Sequence, residues 1–304
     1  MSSRKASNYN ILDSFSHFVP GGGQIVILCV WLLVGALLGN VVTLIYTAVA
    51  GGETAMDAAL LISYPVMFLP AIIYALMRSR TNESFEKGFK LDSNHFKPLG
   101  GLVCAALAML GTICLSFVSE FFISLLPDMP AWLEEVLGGL TKGKVWINFI
   151  AVSIFAPVFE EWLCRGMVLR GLLNCKRKNG RGIKPFWAIT ISAAFFAVIH
   201  ANPWQAIAAF LLGALFGFVY YKTGSLKLTM FMHFVNNTFS LALSHIPSLK
   251  DMETWADVMD KTTYSIVFVL CILAAAFVVF EFSKVRTQST SGNCDEVPAL
   301  FDEQ

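Results

Sequence analysis

The sequence predicts an all-α protein, a polytopic transmembrane helical bundle with about eight spans. Two features of the composition predict this class. Of the 304 residues, 56% are hydrophobic and only 14% are charged, whereas charged residues make up about a quarter of soluble domains. The mean hydropathy is +0.64. The apolar composition indicates the lipid bilayer as a partner of the chain. The net charge of only +1 gives no reason to expect a nucleic acid as a partner.

The predicted spans are apolar segments close to the length that a helix needs to cross the hydrocarbon core, about 20 residues. The fifth, sixth and seventh are short and closely spaced. The tight turn at Ala201-Asn202-Pro203 leaves a re-entrant element as an alternative there. In chain order, the segments are residues 24–50, 58–78, 98–126, 145–174, 185–201, 204–221, 226–246 and 262–283.

Basic residues concentrate in alternate loops, and this pattern predicts the orientation of the chain. One set of loops carries most of the Lys and Arg, and the other set is mainly acidic. The excess of Lys and Arg in cytoplasmic loops places both termini in the cytoplasm. The basic set includes Arg78, Arg80, Lys87, Lys90, Lys97, Lys176, Arg177, Lys178, Arg181 and Lys184.

The spans and their flanks divide the chain into regions. We expect a polar cytoplasmic leader at residues 1–23, N-terminal transmembrane helices at 24–144 and a helical core at 145–246. An external loop and the last transmembrane helix follow at 247–283. The tail at 284–304 is rich in Ser, Thr, Gln and acidic residues, a composition typical of disordered segments.

The cysteines give no indication of a disulfide framework. All seven fall in predicted spans or on the cytoplasmic side, so we expect none to form a structural disulfide. Cys164 lies beside charged residues, but a buried thiol without a neighbouring base behaves as a small apolar side chain. We therefore interpret Cys164 as a packing residue and not as a nucleophile.

The fourth predicted span contains three charged residues, Glu160, Glu161 and Arg165. Each would cost roughly 2.5–3.5 kcal/mol at the centre of a bilayer, so partners or function must compensate. Glu161 and Arg165 are four residues apart and can form an ion pair on one helix face. Glu160 points about 100° away from that face, and we expect it to be unpaired and able to act as a base.

Two histidines and an asparagine extend this cluster. The fourth and fifth spans form an antiparallel hairpin in which Glu160 and His200 are equidistant from Gly180, so both should lie at similar depth. His233 and Asn237 are four residues apart on the seventh span and share a helix face. Phe196 and His200 share a face in the same way.

These groups are compatible with two kinds of hydrolytic site. In one, Glu160 and His200 activate a water, while His233 and Asn237 donate hydrogen bonds to the oxyanion. In the other, Glu160, His200 and His233 bind a catalytic zinc with an open position. The spacing is not His-Glu-x-x-His, and the ligands would come from separate helices, so zinc is the weaker alternative.

The ionisable residues form three motifs in chain order. Glu160 to Arg165 reads EExxxR, Phe196 to His200 reads FxxxH, and His233 to Asn237 reads HxxxN. On successive apolar helices, these motifs resemble the signature of the CPBP family of intramembrane proteases. That family includes the type II CAAX prenyl endopeptidases and bacterial proteins linked to bacteriocin self-immunity. The resemblance covers residues 145–246.

The resemblance implies a membrane-embedded endopeptidase of a membrane-associated protein or peptide. The catalytic residues would be Glu160, His200, His233 and Asn237, and the site would be supported by Glu161, Arg165 and Phe196. The family has been labelled metalloprotease, but we prefer a glutamate mechanism that requires no cofactor, with zinc as the alternative. We expect a multi-pass protein in the plasma membrane of a bacterium.

Two functions from other classes remain as alternatives. Intramembrane Glu, His and Arg also form relays in proton-coupled transporters, although the sequence has no pair of inverted repeats with broken helices. A non-enzymatic immunity or scaffold protein would keep the fold without the reaction. The complete set of Glu160, His200, His233 and Asn237 favours the enzyme.

Overall fold

The structure, a computed structural model, describes residues 11–51, 55–85, 88–134, 144–174, 183–246 and 255–285. Within these ranges it contains helices and no strand, which confirms the predicted all-α class. Most of the predicted tail and the first ten residues of the leader lie outside the described residues. So do Cys175 and Cys294.

Every predicted span corresponds to a helix. Helices α1 and α2 are Gly22–Ala50 and Ala55–Asn82, α3 is Gly101–Ile123, and α4 is the long helix Val145–Asn174. A second group comprises α5 (Pro185–Val198), α6 (Pro203–Thr223), α7 (Leu226–Ser244) and α8 (Lys261–Ser283). The turn expected at residues 201–203 separates α5 from α6, with Asn202 as the N-cap of α6.

Six of these helices are long and apolar enough to cross a membrane, namely α1, α2, α3, α4, α6 and α8. Helix α5 is apolar but has only 14 residues. Helix α7 carries His233, Asn236 and Asn237, and these polar residues lower its hydropathy. The chain is an integral membrane protein. The two helices outside this set of six are α5, which ends just before His200, and α7, which carries His233.

Helices α1 and α2 pack with their backbones in close contact. A Cβ atom on Gly35 would lie 1.8 Å from the carbonyl oxygen of Met67, and one on Gly39 would lie 3.0 Å from that of Ser63. Small residues at such crossings let membrane helices approach each other closely. The glycines of α1 therefore determine how close α2 lies to it.

Helix α4 is irregular. Two π-helical segments, Phe149–Phe155 and Trp162–Leu169, flank the α-helical segment Ala156–Glu161. Pro157 lies in this middle segment and has no N–H group for the regular backbone ladder. π-Helical turns occur mostly as single-turn bulges, and these bulges are frequent at functional sites. Here the two π-helical segments lie on both sides of Glu160 and Glu161.

The predicted polar leader is not solvated throughout, because its second half packs against α4. Phe15 is 6% exposed and Phe18 is fully buried. The ring of Phe15 contacts that of Trp162 edge to face, at 5.4 Å between centroids. Residues 11–20 are therefore part of the main hydrophobic core, together with Leu163, Met167 and Leu169 of α4.

Candidate active site

Glu161 and Arg165 form the predicted ion pair. Arg165 Nη1 lies 2.7 Å from Glu161 Oε1, and both side chains are completely buried. The guanidinium also donates to the carbonyl oxygen of Gly213 at 3.0 Å. Its carbon lies 4.6 Å from the ring centroid of Phe196 and 5.3 Å from that of Phe216. The pair neutralises two buried charges and connects α4 to α5 and α6.

His233 extends this pair from α7. Its Nδ1 lies 3.1 Å from Glu161 Oε1, the same oxygen that accepts the hydrogen bond from Arg165. Because a carboxylate oxygen only accepts hydrogen bonds, Nδ1 is the protonated nitrogen of the ring. The second nitrogen, Nε2, is directed towards Glu160 and lies 4.0 Å from its Oε2.

Glu160 has a partner that the sequence does not reveal. The hydroxyl of Tyr64, on α2, donates a hydrogen bond to Glu160 Oε1 at 2.5 Å. The expectation that Glu160 is unpaired is therefore wrong. Helix geometry within α4 shows only which of its own residues can pair with Glu160, whereas the donor Tyr64 comes from α2, far away in the sequence. Among the described residues, Oε2 of Glu160 is buried and has no hydrogen-bond partner.

His200 lies at the end of α5 and bonds to its own helix. Its Nδ1 donates to the carbonyl oxygen of Phe196, 2.7 Å away. In the described part of the chain, the histidine within 4.0 Å of Glu160 is His233. The sequence placed Glu160 and His200 at similar depth, but the structure brings Glu160 into contact range of the other histidine.

Asn237 and Phe196 line the same region. Asn237 Nδ2 donates to the carbonyl oxygen of Val152 at 2.8 Å, within the first π-helical segment of α4. The ring of Phe196 meets the rings of His200 and His233 edge to face, at 4.9 and 5.4 Å between centroids. Phe196 thus contacts both histidines.

The zinc alternative requires three ligands that converge on one point. Among the described residues, no three His, Cys, Asp or Glu side chains form a group that could hold a metal ion. The set of Glu160, His200 and His233 therefore does not fit a zinc ion in this conformation. Cys164, interpreted from the sequence as a packing residue, is fully buried and packs with Phe196, Ala197 and Ala209.

Two residues with polar contacts at or near the site have no signature in the sequence. Tyr64 is one of several tyrosines in apolar segments, and nothing in its spacing connects it to Glu160. Arg170 lies one turn and a half beyond Arg165 and is completely buried. It donates to backbone carbonyl oxygens, including those of Gly166 at 2.7 Å and Phe89 at 2.6 Å.

Comparison with known proteins matches one segment of the chain to a family. Residues 142–239 match the family model described as type II CAAX prenyl endopeptidase Rce1-like. The segment covers about a third of the chain and includes all seven residues of the predicted site. No curated protein and no solved structure matches the chain. The predicted resemblance is therefore confirmed, because residues 142–239 are similar to the Rce1-like type II CAAX prenyl endopeptidases.

Proposed function

We propose that the protein is a membrane-embedded endopeptidase that hydrolyses a peptide bond in a membrane-associated protein or peptide, with Glu160 as the general base. One observation supports this reaction most directly. Glu160 holds one carboxylate oxygen in a hydrogen bond from Tyr64. Its other oxygen has no hydrogen-bond partner among the described residues and lies 4.0 Å from His233 Nε2. A largely buried base next to a hydrogen-bonding imidazole is an arrangement suited to water activation.

In the proposed reaction, Oε2 of Glu160 takes a proton from a water molecule as the water oxygen attacks the scissile carbonyl carbon. The carbonyl oxygen becomes an oxyanion. When the tetrahedral intermediate collapses, the C–N bond breaks and Glu160 returns the proton to the amine of the leaving peptide. The water is thereby divided between the two products, and Glu160 regains its starting state.

We assign His233 and Asn237 to the oxyanion and His200 to the activation of water, as the motifs imply. The contact of His233 with Glu161 supports its part. The bond from Nδ1 to Glu161 fixes the ring and directs Nε2 towards Glu160, and in the proposed reaction Nε2 carries a proton as well. Nε2 would then donate to the oxyanion. Glu161 and Arg165 hold His233 in this orientation.

The description of the family makes a prenylated C-terminal peptide the first substrate to test. Such substrates carry a C-terminal C-a-a-X sequence in which the cysteine is prenylated. Purified protein in detergent should be incubated with a prenylated peptide, with its unprenylated form and with a library of membrane-associated peptides. Cleavage sites should be identified by mass spectrometry.

The decisive variant is Glu160→Gln, which keeps the size of the side chain and removes the base. We expect it to lose at least about a hundredfold in rate while its melting temperature stays near that of the wild type. Glu83→Gln, at an exposed position, is the matched control. Full activity in Glu160→Gln would show that the site is wrong. Ion flux that depends on Glu160, without any cleavage, would favour the transporter.

We also propose that the reaction requires no metal cofactor. The absence of a three-ligand cluster among the described side chains supports this proposal. Activity should survive exhaustive treatment with a chelator, and metal analysis of the active sample should find less than one zinc per chain. Loss of activity on chelation, with recovery on zinc addition, would overturn it.

The orientation with both termini in the cytoplasm is likewise a proposal. The excess of Lys and Arg in one set of loops supports it. Reporter fusions at the two ends of the chain would test it, since both should report a cytoplasmic location.

A further inference from the structure

We propose that Tyr64 is a positioning residue for Glu160, an inference that rests on the proposed function. Tyr64 lies on α2, outside the segment 142–239 that matches the family. The hydroxyl donates to Glu160 Oε1 at 2.5 Å. The site would thus consist of the Rce1-like segment and one side chain from a helix that precedes it.

The ring of Tyr64 is itself held in place by aromatic neighbours. Its centroid lies 5.8 Å from that of Phe68, one turn further along α2. Phe68 is almost completely buried, and its ring stacks on that of Phe159 at 5.3 Å. Phe159 is the residue next to Glu160. The aromatic contacts therefore fix α2 against α4 at the level of the carboxylate.

The first consequence concerns the rotation of the carboxyl group. The last torsion of a glutamate side chain is broad and roughly twofold, so a glutamate without a donor would exchange its two oxygens freely. The hydrogen bond from Tyr64 fixes Oε1. It thereby leaves Oε2 as the oxygen that faces His233 Nε2 at 4.0 Å. A base held in one orientation needs no reorganisation during the reaction.

The second consequence concerns the burial of the carboxyl group. A buried polar atom is costly unless it is hydrogen-bonded. Among the described residues, Oε1 of Glu160 receives its bond from Tyr64 and Oε2 has no hydrogen-bond partner. Tyr64 therefore offsets part of the cost of placing this carboxyl group between the helices.

The test is Tyr64→Phe, which removes the hydroxyl and keeps the ring. We expect kcat to fall about ten- to a hundredfold while KM changes less than about twofold. A purely structural role would lower the stability and the amount of folded protein, but it would leave the kcat of the folded enzyme unchanged.

Tyr74→Phe is the matched control, because Tyr74 lies on the same helix and uses its ring to contact Phe18 and Trp31. It should keep wild-type kcat. Wild-type kcat in Tyr64→Phe would overturn the inference. If Glu160→Gln is inactive in the same assay, the proposed function would survive that result.

A second measurement does not depend on a substrate. Melting temperatures of Tyr64→Phe, Glu160→Ala and the double variant form a cycle that isolates the coupling between the two residues. We expect Tyr64→Phe to lower the melting temperature in the wild-type background and to have almost no effect when Glu160 is Ala. Additive effects would show that the hydrogen bond is absent and would overturn the inference. If the two effects are coupled but the protein cleaves no substrate, the contact between Tyr64 and Glu160 is supported and the proposed function is rejected.

Discussion

His233 Nδ1 and Arg165 Nη1 lie 3.1 and 2.7 Å from the same atom, Oε1 of Glu161. The ion pair of α4 and the histidine of α7 are therefore one hydrogen-bonded unit. The sequence separates a structural pair, Glu161 and Arg165, from a reactive set that contains His233. In the structure Glu161 also contacts His233, so under the proposed mechanism a change in Glu161 should affect both stability and catalysis.

Glu161→Ala should destabilise the protein by about 3–5 kcal/mol, because it leaves the buried charge of Arg165 without its counter-ion. It should also reduce activity, since His233 loses the acceptor that fixes its protonated nitrogen. Denaturant unfolding in detergent micelles would measure the first effect, and the peptide cleavage assay the second.

The pair of Glu281 and Lys284 provides the control for Glu161→Ala. These residues form an ion pair three positions apart, in which the side chain of Lys284 is 42% exposed and that of Glu281 is 15% exposed, whereas Glu161 and Arg165 are both completely buried. Exposed pairs contribute about 0–1 kcal/mol. Glu281→Ala should therefore cost much less than Glu161→Ala, and equal costs would contradict the importance assigned to burial.

Gly35→Ala should disrupt the packing of α1 on α2. The new methyl group would lie 1.8 Å from the carbonyl oxygen of Met67, a backbone atom that cannot move aside alone. Overpacking of this kind costs about 1–3 kcal/mol or more. A lower melting temperature in detergent would be the direct measure.

Gly22→Ala is the matched substitution on the same helix. A Cβ atom there meets nothing within 4 Å, so the melting temperature should not fall. If both variants melt like the wild type, α1 and α2 are not in backbone contact in the folded protein.

The parts of the site that follow from local spacing could be predicted from the sequence. Glu161 and Arg165 are four residues apart and pair as expected. The apolar segments predicted the positions of the helices, because hydropathy and segment length are properties of the local sequence. The turn at Asn202 and Pro203 could also be predicted, because it depends on adjacent residues.

The contacts between helices could not be predicted in this way. Glu160 and His200 are equally far from Gly180 along the chain, which predicts a similar depth in the membrane. The rotation of each helix about its axis, however, decides which side chains are in contact. Two π-helical segments in α4 also change the angle per residue, so that ideal helix geometry no longer gives the facing side chains. The bond from Tyr64 to Glu160 depends on how α2 packs, which no local pattern encodes.

Arg170→Met should release the segment that precedes α1. The buried guanidinium donates to the carbonyl oxygens of Phe15, Ser16 and Phe18, and also to that of Phe89. Loss of these bonds leaves buried acceptors without donors, which should destabilise the protein by about 2–4 kcal/mol. Limited proteolysis should cut residues 11–20 faster than in the wild type.

Arg170→Lys should restore little of this stability, because an ammonium group has three donors at one point and cannot span carbonyls in a planar array. Arg80→Met, at an exposed position of α2, is the control and should leave the proteolysis pattern unchanged. Wild-type protection of residues 11–20 in Arg170→Met would contradict the role of this arginine.

His95, in the connection between α2 and α3, should make stability depend on pH. Partial burial, followed by the nearby charge of Lys90, lowers the pKa of His95 from its ordinary value of 6.5. Below pH 6.5 the unfolded chain therefore binds a proton at His95 that the folded chain resists. Protonation therefore favours the unfolded state as the pH falls, so stability should decline as the pH falls through 6.5 and level off below the folded pKa.

The contribution of His95 is the difference between wild type and His95→Gln, because every other ionisable group is common to the two proteins. Melting temperatures should be recorded in detergent at steps between pH 7 and pH 5. The variant should lose less stability on acidification than the wild type, and Lys90→Met should lie between the two. Parallel curves for wild type and His95→Gln would mean that His95 binds its proton equally well in the folded and unfolded chain, and that burial does not resist its charge.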